Sequence, residues 1–388
     1  MPDFEDNYQG TPIVQSMSAK IQLGLMNTVG KLSNKMRYID KLAPHLVKGG
    51  VVRKCNKISP FTIKSTGVAT AHRTIQSMGG LLYGAAAVRQ DVYIEDGSIY
   101  KTRQESVVDV DEIDYMDTNK RLNYYDIINA YTLLNELMEE ENRPDLVILD
   151  IPLMLERADV PVDNRYSTLK DYKVCKNIIK EFWRQYQDKI YPFNPNGVKL
   201  VSVGSKRFGA VLLAIAEGKL DYIADQVNTD VIELLDSNQK RLREISVQMM
   251  LKGVLGPLKR TAAFQFDGIN QRNRLEPESL RQLGLMGYHF KAGMRTDHLL
   301  VETTGDISNW DSNKLDELTS QLISLMIYDQ PKTLPLPLWY AKNGLKPLKK
   351  RPGILEFYKR KAKEILKNQD LENQWLEGED IFDETDLL

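Results

Sequence analysis

A chain of 388 residues can bury a large hydrophobic core, either in one elaborated domain or in two smaller ones. Its formal net charge is −1 and 27% of its residues are charged, so any nucleic-acid or membrane surface must be local. The two cysteines have no paired spacing, which indicates neither a disulfide framework nor a zinc site.

The N-terminus is acidic and lacks the apolar core of a signal peptide. No apolar run approaches the length that spans a membrane. The sequence therefore predicts a reduced, soluble, cytoplasmic protein without membrane contact.

Apolar residues recur at helical spacing over 13–48 and predict one long or broken helix. Segments 60–70 and 79–88 are strand-like, and the second is small and apolar, as in a strand packed against other backbone. The Asp-Gly pair in 95–98 predicts a hairpin turn. Further helices are predicted at 121–141, 167–186, 208–217, 238–253 and 312–328, and further strands at 146–149, 198–203, 261–266, 285–292 and 298–303. This order predicts a mixed sheet with helices on its faces, in one core domain.

The segment 144–153 carries the most informative carboxylate. Four consecutive apolar residues read as a strand buried on both faces, Asp150 follows at its C-terminal end, and Pro152 stops the pairing. Nucleases that use two metal ions need carboxylates from separate elements, converging on ions about 4 Å apart. Asp150 has the position for such a role. A cap on the following loop or helix accounts for it equally well when the residue is taken alone.

The order of motifs over roughly 60–345 resembles the NurA family of nucleases. It runs from an apolar strand and turn at 66–78 through a glycine-rich strand at 79–88, a helix with an acid, and the strand that ends at Asp150. A strand ending at Lys206 and the segment 334–342 complete the series. The resemblance implies an α/β, RNase H-like mixed β-sheet flanked by helices, with an N-terminal helical segment.

The resemblance assigns roles to individual residues. Asp150 matches the second metal aspartate of the family, although Ile151 stands where the family usually has glycine. Asp126 lies where the family tends to carry a helix glutamate. Its side chain is one methylene shorter, and Glu136 and Glu139 are the fallback candidates. Lys206 matches a lysine that would hold a phosphate or stabilise charge on the leaving oxygen.

The first predicted strand departs from the family. The hallmark there is an Asp-Gly-Ser triplet whose aspartate is the central metal ligand, and the equivalent position here is Ala71. Ala71 reads either as an engineered replacement or as a natural loss, with His72 as a substitute ligand. A third interpretation moves the register to Asp96-Gly97-Ser98, although that triplet also has the form of a hairpin turn.

The function implied by the resemblance is a metal-dependent DNA nuclease. Two Mn²⁺ or Mg²⁺ ions would be held by Asp150, Asp126 and the missing acid of the first strand. The family further implies a homodimer that works with a HerA-like hexameric ATPase, in DNA-end processing or in defence against foreign DNA. Two other hypotheses stay open: a catalytically inactive DNA-binding or assembly subunit, and an unrelated α/β protein in which Asp150 is only a cap.

The C-terminal part is basic before it becomes acidic. Residues 340–367 hold ten Lys or Arg against two Glu, with aromatic residues among them, as in a surface that binds nucleic acid or in a solvated amphipathic helix. Lys342, at this point, replaces a histidine of the family. The DNA-binding candidates are Lys342, Lys349, Lys350, Arg351, Lys240 and Arg241.

Four parts of the chain are predicted. They are an N-terminal helical segment (1–58), a nuclease core (59–345), a basic C-terminal helix (346–370) and an acidic, disordered tail (371–388).

Overall fold

The computed structural model describes residues 12–58, 61–76, 81–95, 97–162, 166–204, 215, 217–266, 275–276, 283–328, 332–350 and 353–368. None of the helices in these ranges combines the length and the apolar character that a membrane crossing requires. Lys206, Arg351, Asp96, most of the helix predicted at 208–217 and the acidic tail lie outside them.

The helices predicted at 13–48, 121–141, 167–186 and 312–328 are present, the helices at Thr229–Ser237 and Leu336–Gly344 were not predicted, and the basic C-terminal region forms two helices rather than one. The described helices are α1 (Pro12–Lys48), α2 (Thr118–Glu139), α3 (Tyr166–Tyr186), α4 (Thr229–Ser237), α5 (Gln239–Arg243), α6 (Val247–Val254), α7 (Ser312–Ile327), α8 (Leu336–Gly344), α9 (Lys346–Lys349) and α10 (Ile354–Lys367).

The strands include several that the sequence patterns did not indicate. They are β1 (Val52–Lys54), β2 (Ile63–Gln76), β3 (Leu81–Glu95), β4 (Ser98–Ile113), β5 (Leu146–Leu149), β6 (Leu155–Glu156), β7 (Ile190–Tyr191), β8 (Val198–Gly204), β9 (Lys259–Thr261), β10 (Phe264–Gln265), β11 (Leu275–Glu276), β12 (Leu285–Lys291) and β13 (Leu299–Thr304).

One mixed sheet organises the chain, with its strands in the order β1-β9-β12-β13-β8-β5-β2-β3-β4. In its centre β5 runs parallel to both β2 and β8, while β2, β3 and β4 form an antiparallel meander. All four residues of β5 are buried, as expected for a strand with helices on both faces. The predicted fold class, a mixed sheet flanked by helices after an N-terminal helix, is confirmed.

Alternation along β5 separates two hydrophobic cores. Val147 and Leu149 pack into the core that contains residues of α1 to α6. Leu146 and Ile148 pack into the core that contains residues of α7 to α10. Successive side chains of a strand point to opposite faces, so the same rule assigns the residues of β2 to one side or the other.

The sequence Asp-Gly-Ser follows Glu95, the last residue of β3, and its serine, Ser98, begins β4. Glu95 pairs with Ser98, and Gly97 has φ of 84°, the left-handed conformation that glycine adopts readily. Ile94 pairs with Ile63 at the start of β2, about 26 Å from Ala71 at roughly 3.3 Å per residue. The hairpin interpretation is therefore confirmed. Asp96 itself lies outside the described residues, and the distance of this turn from Ala71 does not favour the alternative register.

Gly67 allows helix α8 to lie directly on β2. A Cβ atom at this position would overlap the backbone nitrogen of Leu338 and the carbonyl carbon of Pro337, which cannot move aside as a flexible side chain would. The close approach determines where α8, and Lys342 near its end, lie relative to β2.

We expect Gly67→Ala to lower the free energy of unfolding by about 3 kcal/mol, because the overlap forces α8 away from the sheet. Gly24→Ala is the matched control, since a Cβ there meets nothing within 4 Å and the position is helical. It should be neutral or stabilising by up to roughly 1 kcal/mol. Urea denaturation of both variants measures the difference, and equal midpoints would contradict the proposed packing.

Candidate functional site

The site lies where β2 continues past the end of β5. The two strands pair only from Ser65 opposite Leu146 to Val68 opposite Leu149, while β2 runs on to Gln76. The remaining edge of β2 therefore needs other hydrogen-bond partners on this side. Asp150 supplies one of them, because its Oδ1 accepts the backbone N–H of Thr70 at 2.9 Å.

Asp150 is held by three contacts. Its Oδ1 also accepts the hydroxyl of Thr70 at 3.2 Å, and its Oδ2 lies 3.4 Å from the Nζ of Lys342 on α8. The Asp150 side chain is 8% exposed, whereas that of Lys342 is 40% exposed. Burial raises the pKa of Asp150, and the neighbouring Lys342 ammonium and the hydrogen bonds from Thr70 act in the opposite direction. The negative charge of Asp126 adds to the rise.

Asp126 reaches the same region from helix α2. Its Oδ2 lies 2.7 Å from the Nδ1 of His72, the residue two positions beyond Thr70 in β2. Its Oδ1 is buried and has no hydrogen-bond partner within the described part of the chain. A buried carboxylate oxygen without a partner carries a desolvation cost, which is tolerated where a ligand would complete the site.

Ala71 stands between the two residues that contact these carboxylates. Thr70 and His72 share one face of β2, so Ala71 faces the other side, towards α8. Gly67, which α8 covers, shares that face, and Ala71 belongs to the core that contains residues of α8, α9 and α10. A longer side chain at 71 would therefore extend to the side on which Lys342 meets Asp150.

The described residues do not fit a centre with two metal ions. No group of three or more His, Cys, Asp or Glu side chains in these ranges is arranged to hold a metal ion. Ala71 offers no oxygen, and the Lys342 ammonium lies beside the Oδ2 of Asp150 where a cation would otherwise bind. The site as it stands can bind and position an anion such as a phosphodiester, through Lys342.

The remaining predicted residues lie apart. Glu136 is exposed on α2, and Glu139 accepts the hydroxyl of Tyr186 at 2.5 Å. Lys240 and Arg241 belong to α5, on the α1 side of the sheet, where Arg241 lies over the ring of Tyr38. Lys349 and Lys350 are exposed at the end of α9, on the same side as Lys342.

Two residues of β2 had no role in the sequence-based hypothesis. Thr70 binds Asp150, and Arg73 forms an ion pair with Glu356 of α10. Arg73 also donates from Nη1 to the carbonyl oxygen of Lys350 at 2.8 Å. Alternation of small and polar residues over 69–72 was the available signal for Thr70, but it does not identify the partners.

Comparison with solved structures identifies proteins that share this fold. No family model matches the sequence, and no curated protein gives a significant match. The crystal structure of the NurA nuclease from Sulfolobus solfataricus matches 87% of this chain and 92% of that chain, with 10% identity and a TM-score of 0.52. The chain has the fold of a NurA nuclease.

Two further similarities are weaker. A crystal structure of NurA with manganese matches 90% of this chain and 98% of that chain, with 9% identity and a TM-score of 0.37. The Bacillus subtilis endonuclease V matches 80% of this chain and 88% of that chain, with 13% identity and a TM-score of 0.31. Within the NurA fold of this chain, the predicted site residues Asp126, Asp150, His72 and Lys342 lie around the part of β2 that extends past its pairing with β5.

Replacing Asp150 with asparagine separates a functional carboxylate from a structural cap. Folding raises the pKa of Asp150. The free energy of unfolding of the protein therefore falls as the pH rises from the pKa of this group in the unfolded chain to its pKa in the folded chain. The charged form therefore costs stability at neutral pH, and Asp150→Asn removes that cost while its Oδ1 still accepts from Thr70.

We expect the free energy of unfolding of Asp150→Asn at pH 7 to be unchanged or higher by up to about 1 kcal/mol, with a flatter acid limb. Asp150→Ala, which leaves the Thr70 N–H without its acceptor, should lose about 1 to 2 kcal/mol. Chemical denaturation across the acid range provides the measurement. A large loss in Asp150→Asn would indicate that the charge itself stabilises the fold.

Proposed function

We propose that this chain is a DNA nuclease of the NurA type, built for metal-dependent phosphodiester hydrolysis but lacking one acid of the metal set. The observation that carries the proposal is the position of Ala71. It lies between Thr70 and His72, which contact Asp150 and Asp126, and it faces the side where Asp150 meets Lys342.

Two carboxylates support this assignment. Asp150 comes from the end of a buried parallel strand and Asp126 from helix α2, so each is positioned by a rigid element. The charge of Asp126 acts on the pKa of Asp150, and the Oδ1 of Asp126 is buried without a partner. A buried carboxylate with a raised pKa, as at Asp150, beside a second acid is typical of functional sites.

The chain's own residues have defined roles in this proposal. Thr70 orients Asp150, and His72 orients Asp126. Lys342 neutralises Asp150 and, with its side chain 40% exposed, can contact a phosphate. When bound, Mn²⁺ or Mg²⁺ would supply Lewis-acid activation of water and of the phosphodiester. An additional acid at position 71 is required to complete its ligand set.

The proposed setting follows from the family resemblance. It comprises a homodimer that acts with a HerA-like hexameric ATPase on DNA ends or single strands, in end processing or defence. Lys206, outside the described residues, remains the candidate for stabilising the leaving oxygen, and Lys349, Lys350, Arg351, Lys240 and Arg241 remain candidates for binding DNA.

A second candidate function is a catalytically inactive DNA-binding or assembly subunit. The specific observation in its favour is the contact between Lys342 and Asp150 at 3.4 Å. An ammonium at this distance compensates the buried charge of Asp150 internally, so the site is stable without a metal ion. Ala71 places a methyl group where the family has its central metal aspartate, and Lys342 places an ammonium group where the family often has a histidine near the metal site.

One experiment separates the two functions. Cleavage of labelled single- and double-stranded DNA is measured with Mn²⁺ for the chain as given and for Ala71→Asp, with and without the candidate ATPase. Activity in Ala71→Asp alone supports the nuclease with a missing acid. No activity in either, with DNA binding retained, supports the inactive subunit. Activity in the chain as given would contradict the role of position 71.

A further inference from the structure

A cleft of about 390 Å³ lies between α9 and the first turn of α10. Its lining residues are Lys346, Pro347, Lys350, Gly353, Ile354 and Phe357. The proline, isoleucine and phenylalanine supply apolar surface, and the two lysines supply ammonium groups. A flat apolar ligand that carries negative charge at its edges suits this combination.

Phe357 belongs to a stripe of helix α10 that the described part of the chain leaves exposed. Ile354, Phe357 and Ile365 are 45%, 56% and 58% exposed, and they lie on one face at helical spacing. The opposite face is anchored by Leu355, which is fully buried. An exposed phenylalanine beside a cleft is typical of a binding surface rather than of a packed core.

The charge around the cleft favours a polyanion. The described residues from 342 to 367 hold nine Lys or Arg and two Glu. Both carboxylates are neutralised within the chain, Glu356 by Arg73 and Glu364 by Lys361. Lys361 and Lys342 are paired with Glu364 and Asp150, but nine basic residues against two Glu still give this surface an excess of positive charge, which a nucleic-acid backbone complements.

The cleft is connected to the candidate site. Arg73 follows His72 in β2 and binds both the carbonyl oxygen of Lys350 and the carboxylate of Glu356. Glu356 in turn accepts the backbone N–H of Gly353 at 2.8 Å. These contacts hold the wall of the cleft against the strand that contacts Asp150 and Asp126. A strand of nucleic acid leaving the site on the α8 side would reach the cleft next.

We infer that this cleft binds an unpaired base of a single-stranded nucleic acid, with the base stacked on Phe357 and the adjacent phosphates near Lys346 and Lys350. Stacking on an aromatic ring requires a base whose face is free, which a duplex does not offer. The inference rests on the proposed function in one respect, namely that DNA is the ligand of the neighbouring site.

The test is the affinity of the full chain for fluorescein-labelled oligo(dT), measured by anisotropy over a range of salt concentrations. We expect Phe357→Ala to raise the Kd about 10-fold or more, with an unchanged salt dependence, because the ring contributes stacking and no charge. Phe357→Trp should retain the affinity within about threefold. Ile365→Ala is the matched control on the same exposed face outside the cleft, and it should change the Kd by less than about twofold.

Three results would overturn the inference. An unchanged Kd in Phe357→Ala would exclude stacking on this ring, and an equal loss of affinity for duplex DNA would show that no unpaired base is read. A tighter affinity in Phe357→Ala would assign the cleft to the chain's own acidic segment 371–388. Because Phe357 is exposed, thermal midpoints of the variants should coincide with that of the chain as given.

Failure of this inference and failure of the proposed function are distinguishable. If Ala71→Asp cleaves DNA and binding does not depend on Phe357, the proposed nuclease function is supported and the role of the cleft is excluded. Phe357-dependent binding without cleavage in any variant would retain the cleft in an inactive subunit.

Discussion

Replacing Ala71 with aspartate is expected to produce Mn²⁺-dependent DNA cleavage at least about 100-fold above that of the chain as given. A metal ion contributes several kcal/mol to stabilisation of the transition state, and each 1.36 kcal/mol is about a tenfold change in rate. The new carboxylate would extend to the α8 side of β2, where Asp150 meets Lys342, and would add an acid beside Asp150, while Asp126 contacts His72 on the other face of the strand. Gel assays on end-labelled single- and double-stranded DNA measure the rate.

Binding of the ion provides a second readout that does not depend on activity. Without metal, Ala71→Asp buries a third carboxylate beside Asp150 and is expected to be less stable than the chain as given, because like charges close together repel. Mn²⁺ at about 100 times its Kd should then stabilise the variant by roughly 2.7 kcal/mol and leave the chain as given unaffected.

Ala71→Asn is the matched control for this prediction. Asparagine has nearly the same shape as aspartate but no charge, so it should give neither cleavage nor a Mn²⁺-dependent shift in the thermal midpoint. Equal Mn²⁺ responses in the asparagine and aspartate variants would exclude position 71 as a metal ligand. Addition of Asp150→Asn to Ala71→Asp should abolish cleavage if the two carboxylates act together.

Removing the buried Arg260 is expected to cause the largest loss of stability, about 3 to 5 kcal/mol in Arg260→Met. Its guanidinium is fully buried and makes two hydrogen bonds of 2.8 Å to Asp225, while its Nε donates to Asp316 at 2.6 Å. Asp225 also accepts from the hydroxyl of Ser312 and the N–H of Ala263. The substitution leaves the buried Asp225 with the more distant and partly exposed Arg53, 3.5 Å away, as its counter-charge, and the lost hydrogen bonds to Arg260 are the origin of the loss.

The same pair sets an acid limit to stability. Burial by itself would raise the pKa of Asp225, but the hydrogen bonds and charge of Arg260 outweigh this effect and lower the pKa below its usual range. The contribution of Asp225 is therefore fully present above the unfolded pKa and is lost as the pH falls through the lower folded pKa.

Urea denaturation at several pH values tests both statements. Glu317→Gln is the matched control, since it removes an exposed ion pair with Lys199 from the same helix that carries Asp316. It should change the free energy of unfolding by less than about 1 kcal/mol. A loss in Arg260→Met no larger than that of the control would contradict the buried network.

Local patterns were sufficient for the central elements of the fold. Four consecutive apolar residues predicted β5, which is buried on both faces, and the Asp-Gly pair predicted the hairpin turn between β3 and β4. The break of the predicted helix 238–253 into α5 and α6 was not expected, nor was the full length of β4. β4 is a polar edge strand whose structure depends on pairing with β3, so its own composition carries little signal.

The sequence indicated the two acids of the candidate site, Asp150 and Asp126, but not which residues contact them. Asp150 and Asp126 contact side chains on the same face of β2, and each does so through a residue distant in sequence. Thr70 and Asp150 are 80 positions apart, and His72 and Asp126 are 54 positions apart. Lys342 was expected near a phosphate, and its contact with Asp150 was not foreseen.

Hydrophobic periodicity and turn chemistry are properties of short segments, and for this reason they indicated the sheet, its buried central strand and the position of Asp150 without further information. The register of β2 against β5 decides which side chains meet Asp150, and a shift of one residue would turn Ala71 to the other face. That register results from packing of both faces of the sheet at once, against α2 on one side and α8 on the other. Contacts of this kind join distant segments through a shared core, which is why the arrangement of Thr70, His72, Asp126, Asp150 and Lys342 emerges only in the folded chain.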